Sequence, residues 1–390
     1  MSRPRRLAFV CPRWPGEGAV GGAETLLKEL AVHTMRRGFD VEFLTTCAES
    51  HHTWANTRPA GERQLDGMTV RFFPVDARDE GRFAELQQRI SSGRTLSPEE
   101  EADWLRNGVR SGALAERVRT GNYDRVVAGP YLQALTIEAM DAAGPERARL
   151  VPCLHDEPFA RLETVHRMFG RVGRCLFNSA PERDLASRLH GVEPARAALV
   201  GMGLDDFAAD AESFRRRHGI SWPFLVYCGR REELKGTPLI GDYLAAFRSR
   251  TGRDVRAVFT GTGDIGAPEE MRPYILDLGF APEAEKHDAM AAALAFLHPS
   301  LNESFGIVLM ESWLAGTPAL VRAQSPVLRA QCQASGGGLW FRHYADFEVA
   351  LLRLLEDSAL RDGLGAAGRA FVRREYAWPA IEEKFIAAME

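Results

Sequence analysis

No stretch of this chain approaches the roughly 18–20 consecutive apolar residues that a spanning helix needs, so no transmembrane helix is expected. Cysteine is scarce and scattered: Cys11, Cys47, Cys153, Cys175, Cys228 and Cys332 include no C-x-x-C pair. That spacing suggests neither a disulfide framework nor a zinc site, and thiols inside apolar runs fit a reducing, cytoplasmic setting. A surplus of one charge is also missing. Lys and Arg number 49 against 53 Asp and Glu, a net charge of −4, which gives no global electrostatic reason to bind nucleic acid. Met1–Arg6 has the basic residues of a secretory leader, but the apolar run Leu7–Cys11 is too short for one and stops at Pro12. Internal repeats and low-complexity tracts are absent.

What is present is ordinary globular composition, 45% hydrophobic and 26% charged. At about 150 residues per domain, 390 residues allow two or three domains. Short apolar runs alternate with longer amphipathic ones. Leu7–Cys11, Val41–Thr45, Val70–Phe73, Arg125–Ala128, Leu150–Leu154 and Cys175–Phe177 read as strands, with helical segments such as Glu24–Arg37 between most of them. The alternation then restarts with Phe224–Cys228, Ala257–Thr260, Ile275–Leu278, Ala295–His298 and Ala319–Val321. Strands that are apolar throughout and separated by helices predict parallel sheets covered on both faces. The fold class is therefore α/β, with two Rossmann-like doubly wound domains facing across a cleft. Gly191–Pro223, rich in charge, Gly and Pro, marks the boundary, giving domains 1–200 and 201–375. About 50 residues between Phe73 and Arg125 exceed an ordinary connection. Within them Ser97-Pro98-Glu99-Glu100 forms a capping box, so Pro74–Tyr123 is predicted to be a helical insertion.

Three constellations stand at ends of predicted strands. Gly16, Gly18 and Gly21 formally satisfy the dinucleotide fingerprint G-x-G-x-x-G, but Pro12–Pro15 intervene after the strand. The second strand, ending at Cys47, also has no acid at its tip for a ribose hydroxyl, Glu49 lying beyond it. Gly21 and Gly22 read better as the N-terminus of a helix, where bare N–H groups attract an anion. The alternative is a turn that needs positive φ. Second, Gly229-Arg230-Arg231-Glu232-Glu233-Leu234-Lys235-Gly236 sets two cations, Arg230 and Lys235, where they can converge on one phosphate. Arg231 reads instead as a surface residue partnered by Glu232 and Glu233. Third, Pro299–Glu311 follows a strand and opens a helix. Glu303 and Glu311 can address one hydroxyl-bearing ligand, while Phe305, Gly306 and Ile307 offer backbone N–H groups to it. Two surface acids near a helix start remain an equal reading of the pair.

Taken together, Gly-Gly-Ala-Glu, Gly-Arg-x4-Lys-Gly and Glu-x7-Glu resemble the retaining glycosyltransferases of family 4, the group 1 glycosyl transferases of GT-B fold. Phe177-Asn178-Ser179, Gly201–Asp205, Gly261-Thr262-Gly263, Leu278-Gly279-Phe280 and Ala315–Pro318 extend the resemblance over nearly the whole chain. It implies that Arg230 and Lys235 hold a donor diphosphate beside Gly229 and Gly263, and that Glu303 binds donor-sugar hydroxyls. By the same resemblance Glu311 takes the ribose, the backbone around Phe280 meets the base, and Gly21 and Gly22 approach the diphosphate. His155 looks like the histidine this family often sets beside the donor sugar. The helix at 376–390 would pack back on the N-terminal domain. Two departures stand out: Gly201-Met202-Gly203-Leu204-Asp205 replaces the usual Asn-Gly-Val-Asp linker, and Ile307-Val308 replaces Leu-Pro.

The resemblance implies transfer of a sugar from a nucleoside-diphosphate sugar to a glycan, lipid-linked or small-molecule hydroxyl. With no D-x-D motif after a strand, no metal is expected, and Arg230 and Lys235 would carry the leaving-group charge. Arg3, Arg5, Arg6, Arg36 and Arg37 suit contact with an anionic membrane and suit ordinary solubilisation equally. An NAD-dependent oxidoreductase and a catalytically inactive scaffold of the same fold are the competing readings.

Overall fold

Unbroken runs of aliphatic, β-branched and aromatic residues become strands buried on both faces in a computed structural model of the chain, which describes residues 5–16 and 21–390. Gly18 of the first glycine cluster lies outside the described residues. Contacts divide the chain into two units, Met1–Gly203 with Ile381–Glu390, and Leu204–Ala380.

The first unit holds an eight-stranded sheet: β1 (Arg6–Val10), β2 (Asp40–Thr46), β3 (Gly61–Leu65), β4 (Met68–Phe73), β5 (Arg125–Ala128), β6 (Ala148–Leu150), β7 (Arg174–Phe177) and β8 (Ala197–Leu199). Their order is β3-β4-β2-β1-β5-β6-β7-β8, and every pairing is parallel except the β3–β4 hairpin. Three features depart from the sequence reading. The hairpin strand β3 and the short β8 were not expected, and β6 ends at Leu150, four residues before the expected Leu154. Just past its end, Pro152 has no N–H to donate to the ladder and Cys153 takes a left-handed conformation, φ +52°. Residues 191–223, read as a linker, contain β8 and a helix at Ala211–His218.

The insertion is helical, as expected, with helices at Glu80–Ser91, Pro98–Asn107 and Gly112–Thr120. The capping box forms with both its hydrogen bonds: Glu100 N donates to Ser97 Oγ and Ser97 N to the Glu100 carboxylate. The same helix supplies Glu101, whose buried carboxylate accepts from Glu163 N, Thr164 N (2.9 Å) and Thr164 Oγ1, capping the helix Glu163–Arg171. Trp104 packs between Phe83 and Phe159, so the insertion is fastened to the segment that follows β6. In the last ten residues, Phe385 stacks on Phe9 of β1 and Glu382 pairs with His33 at 2.7 Å.

The second unit is built on six parallel strands, β9 (Phe224–Cys228), β10 (Arg256–Thr260), β11 (Ile275–Asp277), β12 (Ala295–His298), β13 (Ala319–Arg322) and β14 (Gly338–Phe341). Their order is β11-β10-β9-β12-β13-β14. Only β14 lacks a counterpart in the sequence reading. Parallel strands put every strand-to-helix loop on one edge of the sheet, where ligands of doubly wound folds bind. Among the described residues no helix is long and apolar enough to cross a membrane.

Candidate active site

In the second unit the loops after β9, β10, β11 and β12 share the carboxyl edge of the sheet. Three of them are stitched together by main-chain bonds: Gly229 N donates to Thr260 O, Arg231 N to Thr262 O and Gly261 N to Gly279 O, at 2.7–3.0 Å. This approach requires glycine at 261. Its φ is +125°, and a Cβ there would stand 1.9 Å from the Gly229 carbonyl oxygen. Gly263 lies on the same seam, bridged to Arg231.

Arg231 corrects the sequence reading. It is 7% exposed rather than a surface residue, and its guanidinium forms a bidentate pair with Asp277 at the end of β11. Glu232 instead pairs with Arg230, 3.0 Å away, and Arg230 keeps a half-exposed side chain. Arg231 therefore locks the seam, while its neighbour is turned outward. Tyr227, buried at the end of β9, donates its hydroxyl to the Arg230 carbonyl at 2.6 Å and fixes the loop from below.

Lys235 stands just before the helix Thr237–Thr251, whose N-cap is Gly236. Its ammonium donates to Glu303 Oε1 at 2.7 Å. Glu303 also faces His298, whose Nε2 lies 3.6 Å from the same oxygen. Burial pushes the His298 imidazole down to about 4, further than the neighbouring Glu303 raises it, so this ring is neutral at pH 7. Glu303 is thus charge-paired by Lys235 and contacted by an uncharged ring.

The helix Ile307–Leu314 begins at Gly306, φ +87°, with no side-chain cap at its N-terminus. Uncapped N–H groups and the helix dipole make this end receptive to an acceptor group of a ligand. The Phe305 ring is buried edge-on against Tyr376 at 4.9 Å, so its side chain anchors the loop and leaves only its backbone for binding. Glu311, in the second turn of the helix, pairs with Lys286 at 2.9 Å. Phe280, after β11, is 61% exposed, and its predecessor Gly279 is held by Asp277 at 2.8 Å. The structure thus collects Gly229, Arg230, Lys235, Gly263, Phe280, Glu303, Phe305, Gly306, Ile307 and Glu311 along one sheet edge. Glu283, His287 and Glu311 bring their ligand atoms within 4.8 Å of one another, but the Lys286 ammonium already bridges the two carboxylates.

The first unit presents its own predicted residues at the carboxyl edge of its sheet. Gly21 caps the helix Gly22–Arg36 with φ −75°, so the positive-φ turn does not occur there. Glu24 in the first turn is paired with Arg13 at 2.6 Å. Glu49, the acid nearest the tip of β2, is already bound by Arg58 and Thr57. His155 follows β6, with Nδ1 3.9 Å from Glu157, itself held by the Tyr131 hydroxyl at 2.6 Å.

Two buried charged residues beside these positions, one in each unit, escaped the sequence reading. Glu182 is 1% exposed and accepts from Leu154 N and Asn178 N, both at 2.7 Å, tying the His155 segment to the end of β7. Burial raises its carboxyl to about 8 despite these amide donors. The Ser179-x-x-Glu182 spacing, a capping-box pattern, was the available signal. Lys286 lay hidden in a charged helical run, Glu283-Ala284-Glu285-Lys286-His287-Asp288, that resembles a solvated face.

Residues 210–371 match the family model of the glycosyl transferases group 1. The D-inositol 3-phosphate glycosyltransferase of Frankia alni is 27% identical over 397 residues, covering 91% of each chain. Sucrose-phosphate synthase from Thermosynechococcus elongatus superposes over 98% of both chains with a TM-score of 0.72 at 15% identity. Anabaena Alr3699/HepE, solved in complex with UDP and glucose, covers 98% of both chains with a TM-score of 0.68 at 18% identity. These matches set aside the oxidoreductase reading: the chain has the GT-B fold, it is a glycosyltransferase, and its residues 210–371 match the group 1 family.

Proposed function

We propose that the enzyme moves a sugar from a nucleoside-diphosphate sugar to a hydroxyl acceptor, a glycan, a lipid-linked sugar or a small molecule, and keeps the donor's anomeric configuration. The observation that carries this reading is the Lys235–Glu303 pair at the mouth of a parallel sheet, with an uncapped helix start and Glu311 on the same segment. Anabaena HepE, of the same fold, binds UDP and glucose.

In this reading Lys235 and Arg230 take the diphosphate, Arg230 by exchanging its half-exposed partner Glu232 for phosphate oxygen. Glu303 accepts hydrogen bonds from the sugar hydroxyls, and the N–H groups of Phe305, Gly306 and Ile307 assist. Glu311 binds the ribose, and the backbone around Phe280 and Gly263 meets the nucleotide. The anomeric carbon–phosphate oxygen bond breaks as the acceptor oxygen bonds the same face of that carbon. The bonding pair stays on the nucleoside diphosphate, whose phosphate oxygen takes the acceptor proton. The two cations stabilise the charge that grows on the leaving group, so no metal is assigned. The basic residues Arg36 and Arg37 are offered for peripheral contact with a membrane at its cytoplasmic face.

Proton NMR of the product, made with a configurationally defined donor, tests the stereochemistry. A retained anomeric coupling supports the reading, and an inverted one refutes front-face transfer.

A further inference from the structure

Glu311 is a carboxylate that must be ionised to accept two ribose hydroxyls well, yet it is placed where ionisation is costly. Its side chain is 14% exposed on a helix whose neighbours Leu309, Met310, Ser312 and Trp313 are buried. A protonated carboxyl would lose acceptor strength and present a donor to a donor. The groups facing it come from two further elements. The helix Glu283–Ala292 brings Glu283, Lys286 and His287, and β9 brings Cys228. Of these among the described residues, Lys286 supplies the positive charge. His287 is pushed down to about 4, chiefly by burial, and is neutral. Burial holds the Cys228 thiol protonated. Glu283 adds negative charge, although its side chain is 72% exposed.

Geometry matches this charge balance. The Lys286 ammonium lies 2.9 and 3.0 Å from the two Glu311 oxygens and 2.6 Å from Glu283, with its own side chain 14% exposed. Its helix is fixed in turn: the His287 ring stacks on Phe207 at 3.5 Å, and Asp288 accepts from Asp210 N and pairs with Arg217. The ammonium is therefore held on a rigid element rather than drawn in from solvent.

We propose that Lys286 is a positioning residue of the donor site, which keeps Glu311 ionised and oriented for the ribose diol and so makes nucleotide binding insensitive to pH through the neutral range. The inference rests on the assignment of Glu311 to the ribose. Burial already lifts the Glu311 carboxyl, and Lys286 opposes that lift. Without the ammonium the carboxyl rises further, because burial is then opposed by no neighbouring positive charge.

The test is titration of UDP, GDP and ADP into the whole protein at pH 6, 7 and 8. The nucleotide's own phosphate titrates in this window, so the readout is the ratio of wild-type to variant affinity at each pH. For Lys286→Met the ratio is expected to grow about tenfold or more between pH 8 and pH 6, approaching one decade per pH unit. Lys286→Arg should keep the ratio flat. Lys286→Met combined with Glu311→Gln should also be flat with pH, because the titrating group is gone. Should Lys286→Met lower the melting temperature, Lys286→Gln retains a donor without the charge and gives the same readout. A pH-independent ratio for Lys286→Met, with Glu311→Gln still weakening the nucleotide, overturns the inference alone. An unchanged affinity in Glu311→Gln overturns the ribose assignment beneath it.

Discussion

Two regions of this molecule bury carboxylates beside cations, and they do so in opposite ways. At the amino end of the first sheet, Glu42 on β2 is met by Arg6, Arg71 and Arg117 and by the Tyr123 hydroxyl. Burial alone would raise its carboxyl, but the donors outweigh burial and hold it below 4.5. At the carboxyl edge of the second sheet, Glu303 and Glu311 are each paired with one lysine. Glu42 has no acceptor capacity left for anything but protein, and it joins β1, β2, β4 and the last insertion helix. Glu311 accepts from Lys286 through Oε1, and its Oε2 has no hydrogen-bond partner among the described residues, so a polyhydroxyl ligand can use it. Burial of a charge is common to both; the number of donors already committed separates structure from binding.

Mutation can break this comparison at its strongest point first. Lys235→Ala or Glu303→Gln is expected to lower turnover of the accepted nucleotide sugar on the order of 10²–10³-fold, with circular dichroism and melting unchanged. Arg230→Ala should cost about tenfold, since one half-exposed charge-assisted bond is lost. Turnover within twofold of wild type in Lys235→Ala would remove the distinction.

Next in size, Glu42→Gln should cost about 2–4 kcal/mol of stability in urea titration. The figure lies below that for a fully buried pair because Arg6, Arg71 and Arg117 are a quarter to a third exposed. Turnover per folded molecule should not change. The sign with pH is fixed by the lowered carboxyl. Its stabilisation is present above the ordinary value of 4.5 and is lost as pH falls through the folded value. Melts between about pH 3 and 6 should therefore show a steeper acid loss in wild type than in Glu42→Gln. A parallel acid loss in both proteins would show that Glu42 carries no linkage.

The seam that supports the second site allows a smaller test. Gly261→Ala places a Cβ against the Gly229 carbonyl at φ +125° and should cost about 1–3 kcal/mol. It should also weaken nucleotide binding, by displacing the loop of Arg230. Stability loss with unaltered binding would detach the seam from the site. Phe280→Ala should have the smallest effect, within about 0.5 kcal/mol in stability, because the ring is largely exposed and the backbone is assigned to the base. A large loss of nucleotide affinity there would move that contact from backbone to ring.

Much of this was legible in the sequence, for reasons the strands make plain. β1, β9 and β12 are almost wholly buried and largely apolar, so their runs are unambiguous, and β2 keeps the apolar run Phe43-Leu44 between its polar residues. β3 reads Gly-Glu-Arg-Gln-Leu and lies largely exposed at a sheet edge, where no apolar pattern is required. β8 has three residues and β14 opens on glycine, both at sheet edges. Site residues in loops were visible through their spacing, because a glycine next to a charge is hard to explain by packing. Arg231, Lys286 and Glu182 were not, because a charge among charges reads as surface. Only the fold brings Asp277, Glu311 and the amides of Leu154 and Asn178 to them.

The most direct test is calorimetric titration of UDP-glucose, GDP-mannose and ADP-glucose into wild-type protein and into Lys235→Ala. At least one donor should bind the wild-type protein, and its affinity should fall about tenfold or more in the folded variant. Equal affinity for that donor in both proteins would contradict the assignment of the diphosphate to Lys235 and the account built on it.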